Sequence, residues 1–218
     1  KRIYQALDFF AEHPFDGKWY GKVTYTLSRN YGNTEGQLLS DIGQADVATT
    51  QAFDYPEFSR NALGLLPNHR KHQLKMFGYY QADPEWGFGA NVALASGRPR
   101  NCIGNAPDAV GSTNPNAVTN YSGYGSAYFY CNGVAAQRGS QGRLPYTAKL
   151  DLNVAYQPAT LKGLTLKLDV FNVLNRQSVE VIEERYNSGT AVRALYSTPL
   201  SYTAPRYARI SAYYDYKF

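Results

Sequence analysis

Apolar and polar residues alternate with a period of two along most of the chain, which predicts strands rather than helices. Near Ile3 to Glu12, Leu7, Phe9 and Ala11 oppose Asp8, Phe10 and Glu12. In "WYGKVTYTLS", Trp19, Gly21, Val23, Tyr25 and Leu27 share one face, and Tyr20, Lys22, Thr24, Thr26 and Ser28 share the other. "HQLKMFGYYQ" (72–81) and "WGFGANVALA" (86–95) follow the same rule. So do "YTAKLDLNVAYQ" (146–157), "LTLKLDV" (164–170) and the closing "RISAYYDYKF" (209–218). That makes about seven strands, each near the roughly 9–11 residues that a tilted strand needs to cross a bilayer.

The connections between these strands are of two kinds. "HPFDGK", "ADPE" and "QPATLKG" are short turns at every second junction, and 31–68, 98–143 and 175–204 are long loops at the others. Loops beyond about 15 residues are uncommon in compact domains, and three at alternate junctions is a pattern. An outer-membrane barrel is wired in this way, with short periplasmic turns and long extracellular loops. Alternation alone does not separate such a barrel from a soluble Tyr-rich β-sandwich. The aromatic residues do: Trp19, Trp86, Tyr146, Tyr156, Tyr214, Tyr216 and Phe218 fall at strand ends on the apolar face, while Ala, Val, Leu and Ile fill the middles. That is the girdle expected at the two headgroup levels. The fold expected is all-β: an antiparallel transmembrane β-barrel segment of about seven spanning strands, part of a larger barrel.

Composition narrows the reading. Aromatics make up 15% of the residues, with 20 Tyr, and no apolar run is long enough for a transmembrane helix. The net charge of +5 is dispersed, with 22 Lys and Arg among 17 Asp and Glu. No basic block or recognised motif points to nucleic acid. Cys102 and Cys131 are too far apart for a CxxC metal or redox pair, and a disulfide formed in an oxidising compartment is expected.

Several segments together resemble the C-terminal part of TonB-dependent outer-membrane receptors, most closely the Oar-like group. The residues that carry the resemblance are "LPNHRKHQLKMFGYY", "GFGANVALASGRP", "LPYTAKLDLNVAY", "LTLKLDVFNVLNRQ" and "YTAPRYARISAYYDYKF". "DVFNVLN" followed by a loop and a "PRYARISAYYDYKF"-type ending is the most specific pair. The resemblance implies a 22-stranded barrel of which this chain supplies the last third or so, with a plug domain and the earlier strands outside it. It implies uptake of an extracellular siderophore, glycan or peptide, driven through the TonB complex and the plug. The other function considered is an outer-membrane structural or adhesion barrel that transports nothing. The closing strand, with Tyr214, Tyr216 and Phe218, looks like the signal read by the barrel-assembly machinery of Gram-negative bacteria. Two open sheet edges in lipid demand partners: the remaining barrel strands, another copy, or an eighth strand from 178–197, whose Glu180, Glu183, Glu184 and Arg185 place it above the bilayer.

No cofactor is expected, and no catalytic constellation, such as a Ser-His-Asp order, G-x-S-x-G or P-loop, is present in the sequence. In "HRKH", His69 and His72 stand three apart and would point to opposite faces of a strand, so a shared metal ion is not expected. Charges on the polar face (Asp8, Glu12, Lys22, Lys75, Lys149, Asp151, Lys167, Asp169 and Arg209 among them) are expected to form cross-strand pairs or to touch the plug. For the ligand, the candidates are Arg98, Arg100, Tyr121, Tyr124, Tyr128 and Tyr130 in the second long loop, because Tyr and Arg are frequent anchors of recognition surfaces.

Overall fold

The computed structural model describes residues 1–47, 50–107 and 123–216. Seven long strands form one antiparallel meander in chain order: β1 (Arg2–His13), β2 (Trp19–Gly32), β3 (His72–Gln81), β4 (Trp86–Ala95), β5 (Thr147–Tyr156), β6 (Leu164–Phe171) and β7 (Tyr207–Tyr214). The predicted strands are found, with one extension. β2 runs on to Gly32 because Asn30–Gly32 still pair with Arg2–Tyr4, and the short strand Gly64–Leu65 pairs with Tyr31 and Gly32. The ladder of β7 ends at Tyr214. Asp215 still donates to the Gly163 carbonyl at 2.9 Å, and Lys217 and Phe218 lie outside the described residues.

The register keeps the faces consistent from strand to strand. Ala11 lies opposite Val23, Val23 opposite Met76, Met76 opposite Val92 and Val92 opposite Leu150. Further on, Val154 lies opposite Leu168, and Leu168 opposite Ile210. A one-residue slip anywhere would turn a whole strand over, so a uniform face fixes the register. On the other face two of the expected cross-strand charge pairs form, Lys22 Nζ to Glu12 Oε2 at 2.8 Å and Arg209 Nη2 to Asp169 Oδ2 at 2.9 Å, both between directly opposed residues, whereas Asp8, Lys75 and Lys167 make no ion pair among the described residues.

The apolar face is not buried by protein. Leu152, Leu166 and Leu168 are 41%, 38% and 41% exposed, and Ile210 is 82% exposed. The buried apolar residues lie almost wholly in the long loops, among them Phe58, Leu66, Ile103, Tyr128, Phe129, Tyr130 and Ile182. This distribution is inverted relative to a sandwich, whose core lies between its sheets. It is the distribution of a sheet whose apolar side meets lipid. Trp19, Tyr80, Trp86, Tyr156 and Tyr214 all stand at the turn end of their strands, and Trp86 stacks on Tyr156 with ring centroids 4.4 Å apart. An expected eighth strand is not added to the sheet. Val179–Ile182 pairs instead with Pro199–Tyr202, as a hairpin inside the third long loop.

Candidate functional site

The three long loops leave the same end of the sheet and pack together into a cap. Two sequence motifs hold its base. In "SGRP", the Ser96 Oγ accepts the His72 amide at 3.1 Å and Ser96 N–H donates to the His72 carbonyl at 2.8 Å, tying β4 to β3. A Cβ on Gly97 would sit 1.7 Å from the Leu144 carbonyl oxygen, so only glycine fits where the two ends of the second loop cross. In "DVFNVLN", Asn172 and Asn175 both take the left-handed conformation, φ 49° each, which asparagine tolerates better than most residues. Asn172 Nδ2 donates to the Arg176 and Ala204 carbonyls at 3.1 and 2.8 Å, and Asn175 Oδ1 accepts the Arg206 amide at 3.0 Å. The two asparagines thereby clamp both ends of the third loop.

Inside the cap lies a buried ionic cluster built from all three loops. Asp41 of the first loop faces Arg138 of the second at 3.3 Å, and Glu184 of the third faces Arg98 of the second at 3.3 Å. Asn101 joins the halves: its Nδ2 donates to Asp41 Oδ1 at 2.6 Å and to Glu184 Oε2 at 3.2 Å, and its amide donates to Glu184 Oε1 at 2.9 Å. Burial pushes the Asp41 carboxyl up to about 7 against the pull of Arg138, and burial likewise raises Glu184 against the pull of Arg98. Beside this cluster, Phe58 of the first loop packs on Tyr124 and Tyr128 of the second, with ring centroids 5.0 and 4.9 Å apart. Cys102 and Cys131 form the expected disulfide, with Cα atoms 5.3 Å apart.

The predicted ligand anchors therefore have different surroundings. Arg98, Tyr128 and Tyr130 are buried in the cap, Arg98 against Glu184 and the two tyrosines in the aromatic cluster. Arg100 is half-buried and donates from Nη2 to Ser197 Oγ at 2.6 Å. Tyr124 is half-buried at the edge of the cluster, its hydroxyl donating to Asp54 Oδ2 at 2.9 Å. Tyr121 lies outside the described residues. His69 and His72 are not brought together: His69 Nδ1 accepts the Asn30 amide at 3.2 Å, while His72 Nδ1 meets the Tyr25 hydroxyl at 2.8 Å.

Sequence reasoning missed a cavity of about 340 Å³ beneath the cap, between the loop end of the polar face and the third loop. Its charged lining is Lys75, Lys149, Arg176 and Glu180. Lys149 Nζ is 3.3 Å from Asp151 Oδ2, Arg176 donates to the Tyr146 carbonyl at 3.2 Å, and Lys75 has no ion pair among the described residues. Three cations against one carboxylate, with Gln73, Thr147 and Asn172 as hydrogen-bonding groups, suit an anionic or oxygen-rich guest. Alternation had placed Lys75 and Lys149 on the right face. The loop residues that turn that face into a cavity are a hundred or so positions further along the chain from Lys75, and no local pattern joins them.

Comparison with known proteins agrees with this architecture. The chain is 29% identical over 191 residues to the TonB-dependent transporter Oar of Myxococcus xanthus, a match covering 85% of this chain and 16% of that protein. Among solved structures, the siderophore receptor PiuA from Acinetobacter baumannii superposes with a TM-score of 0.54 at 12% identity, over 99% of this chain and 22% of PiuA. The outer membrane transporter YddB from Escherichia coli gives a TM-score of 0.54 at 12% identity, over 98% of this chain and 25% of YddB. No protein-family model matches. The chain thus spans about a sixth of the curated relative, and it is a segment of a Gram-negative outer-membrane barrel that resembles TonB-dependent receptors of the Oar type.

Proposed function

We propose that this relative of Oar is the C-terminal portion of the barrel of a TonB-dependent outer-membrane transporter, which takes up an extracellular ligand through the mouth under the cap. The observation that supports it most is the inverted burial combined with similarity to Oar along 85% of the chain. Among the described residues β1 and β7 each have a free edge in this sheet, and in lipid those edges would need strands supplied by the rest of the barrel. A plug in the lumen would meet the paired charges of the polar face and couple to TonB in the periplasm. The Tyr214–Phe218 ending would serve recognition by the barrel-assembly machinery. At the mouth, Lys75, Lys149 and Arg176 would receive an anionic or oxygen-rich part of the ligand.

The test uses the full-length native polypeptide. Its mass and sequence are expected to reveal a plug-sized segment ahead of Lys1, and a photo-crosslinker in that segment is expected to capture the periplasmic domain of TonB. A full-length barrel with no such segment, or one that never contacts TonB, would instead support a surface-structural barrel.

A further inference from the structure

The chemistry of the guest can be read from the cavity beneath the cap, on the reading that this cavity receives part of the ligand. β4 supplies a floor of small residues, and the two neighbouring strands supply polar walls. Ala93 lies between Lys75 of β3 and Lys149 of β5, and Ala95 lies between Gln73 and Thr147. Two strand spacings put the Cα atoms of the two lysines roughly 9–10 Å apart, so both ammonium groups border one space. Arg176 and Glu180 of the third loop border it from the cap side. At about 340 Å³ it stands near the lower end of small-molecule sites, roughly 300–1,000 Å³, and suits one compact group rather than a long chain.

The protein occupies these groups unequally. Lys149 is shared between Asp151 at 3.3 Å and the Phe171 ring at 5.6 Å, and Arg176 spends one nitrogen on the Tyr146 carbonyl. Lys75 and Glu180 make no ion pair among the described residues, with each other or with anything else. An ammonium and a carboxylate, both unanswered, therefore face the same small volume. A plain anion would answer Lys75 and be repelled by Glu180. A neutral sugar would answer Glu180 through its hydroxyls and leave the cations unanswered. A zwitterion would answer both, but the surroundings are cationic rather than balanced. Arg98 Nε donates to the Glu180 carbonyl at 3.2 Å, and Arg70 has its Nη1 buried without a partner among the described residues. Burial first, then Arg98 and Arg143, hold the Arg70 guanidinium below its ordinary range, with Glu180 pulling the other way. The guest that fits carries negative charge and hydroxyl donors on one compact frame.

We propose that this cavity binds an acidic sugar, whose carboxylate meets Lys75, Lys149 and Arg176 and whose hydroxyls donate to Glu180 and accept from Gln73. Guanidinium and ammonium groups are suited donors to a carboxylate, and the alanine floor leaves room for the ring.

The experiment is a ligand-observed NMR titration of the full-length protein in detergent with glucuronate, glucose, glutarate, glutamate and inorganic phosphate. The wild type is expected to bind glucuronate about tenfold more tightly than any of the other four, the scale of one charge-assisted hydrogen bond. Lys75→Gln and Arg176→Gln are each expected to bring glucuronate down to the level of glucose while glucose itself is unchanged. Glu180→Gln is expected to weaken glucuronate and strengthen phosphate, because it removes a hydroxyl acceptor and a repelling charge together. Folding is read independently from the heat-modifiable migration of the barrel. If Lys75→Gln does not fold, the two loop variants at Arg176 and Glu180 decide the matter. The proposal is overturned if the wild type binds no glucuronate, or if any of the other four matches it. It is also overturned if Glu180→Gln strengthens glucuronate as it does phosphate, which would make the site a plain anion site. Binding in detergent needs neither TonB nor uptake. Failure here therefore leaves the transporter reading standing, and a barrel that never contacts TonB can still pass this test.

Discussion

Asp41 and His69 are buried in the same cap region, and their protonation responds to burial in opposite directions. Asp41 titrates at about 7, well above an ordinary aspartate, because desolvation outweighs Arg138. The folded cap therefore holds a proton that the unfolded chain releases, and this contribution to stability is lost as pH rises from about 4 to about 7. His69 titrates at about 4, so the unfolded chain binds the extra proton, and stability is lost as pH falls from about 6.5 to about 4. Glu184 adds to the Asp41 effect. Glu183 is held low chiefly by its hydrogen bond from Arg185, and it matters only below the ordinary glutamate range. In the wild type the two main effects offset each other between pH 5 and 6.5. Limited proteolysis of the loops should separate them. The Asp41→Asn variant is expected to become more resistant as pH rises from 5 to 8, and His69→Gln is expected to become less resistant. Parallel profiles for both variants would show that neither group titrates in this window.

At the level of elements, the spanning strands were legible in sequence and the cap was not. Each strand separates two uniform media, so every second residue reports the same environment, and the period-2 pattern carries the register without knowledge of partners. The cap follows no period. Asp41, Asn101 and Glu184 meet from three loops, Asn101 standing 60 and 83 positions from its two partners, and nothing local marks them. Two of its motifs were visible as resemblance, "SGRP" and "DVFNVLN", but their reasons appear only in three dimensions: a backbone crossing at Gly97 and two left-handed asparagines. The disulfide was legible, because two cysteines in one exported loop leave few alternatives. It links residues 29 positions apart, and closing a loop of that size removes unfolded-state entropy worth about 3–4 kcal/mol in the chain model. Alkylation of the untreated folded protein is expected to find neither Cys102 nor Cys131 reactive. After reduction, the second loop should be cleaved by protease at least tenfold faster while the barrel keeps its heat-modifiable band. Two free thiols before reduction would remove the bridge from the account.

For the whole molecule, apolar burial is divided between two solvents. The cap excludes water with its own core, as a soluble domain does, whereas the sheet leaves Leu152, Leu166, Leu168 and Ile210 for lipid to cover. The sheet therefore depends on a bilayer or detergent in a way the cap does not, and the two parts need not share a single unfolding transition. The distinction can be read one residue at a time along β7, where Ile210 and Ala212 share the apolar face and Ser211 pairs with Lys167 on the other. Molecular oxygen concentrates in hydrocarbon. Nitroxide labels at Ile210→Cys and Ala212→Cys in the full-length protein in bilayers are therefore expected to collide with oxygen several-fold more often than a label at Ser211→Cys. The lumen side should stay oxygen-poor whether water or a plug fills it, so the comparison does not depend on what occupies the barrel. Equal oxygen accessibility at the three positions would mean that lipid is not the medium in contact with this face, and the membrane assignment of the sheet would fail with it.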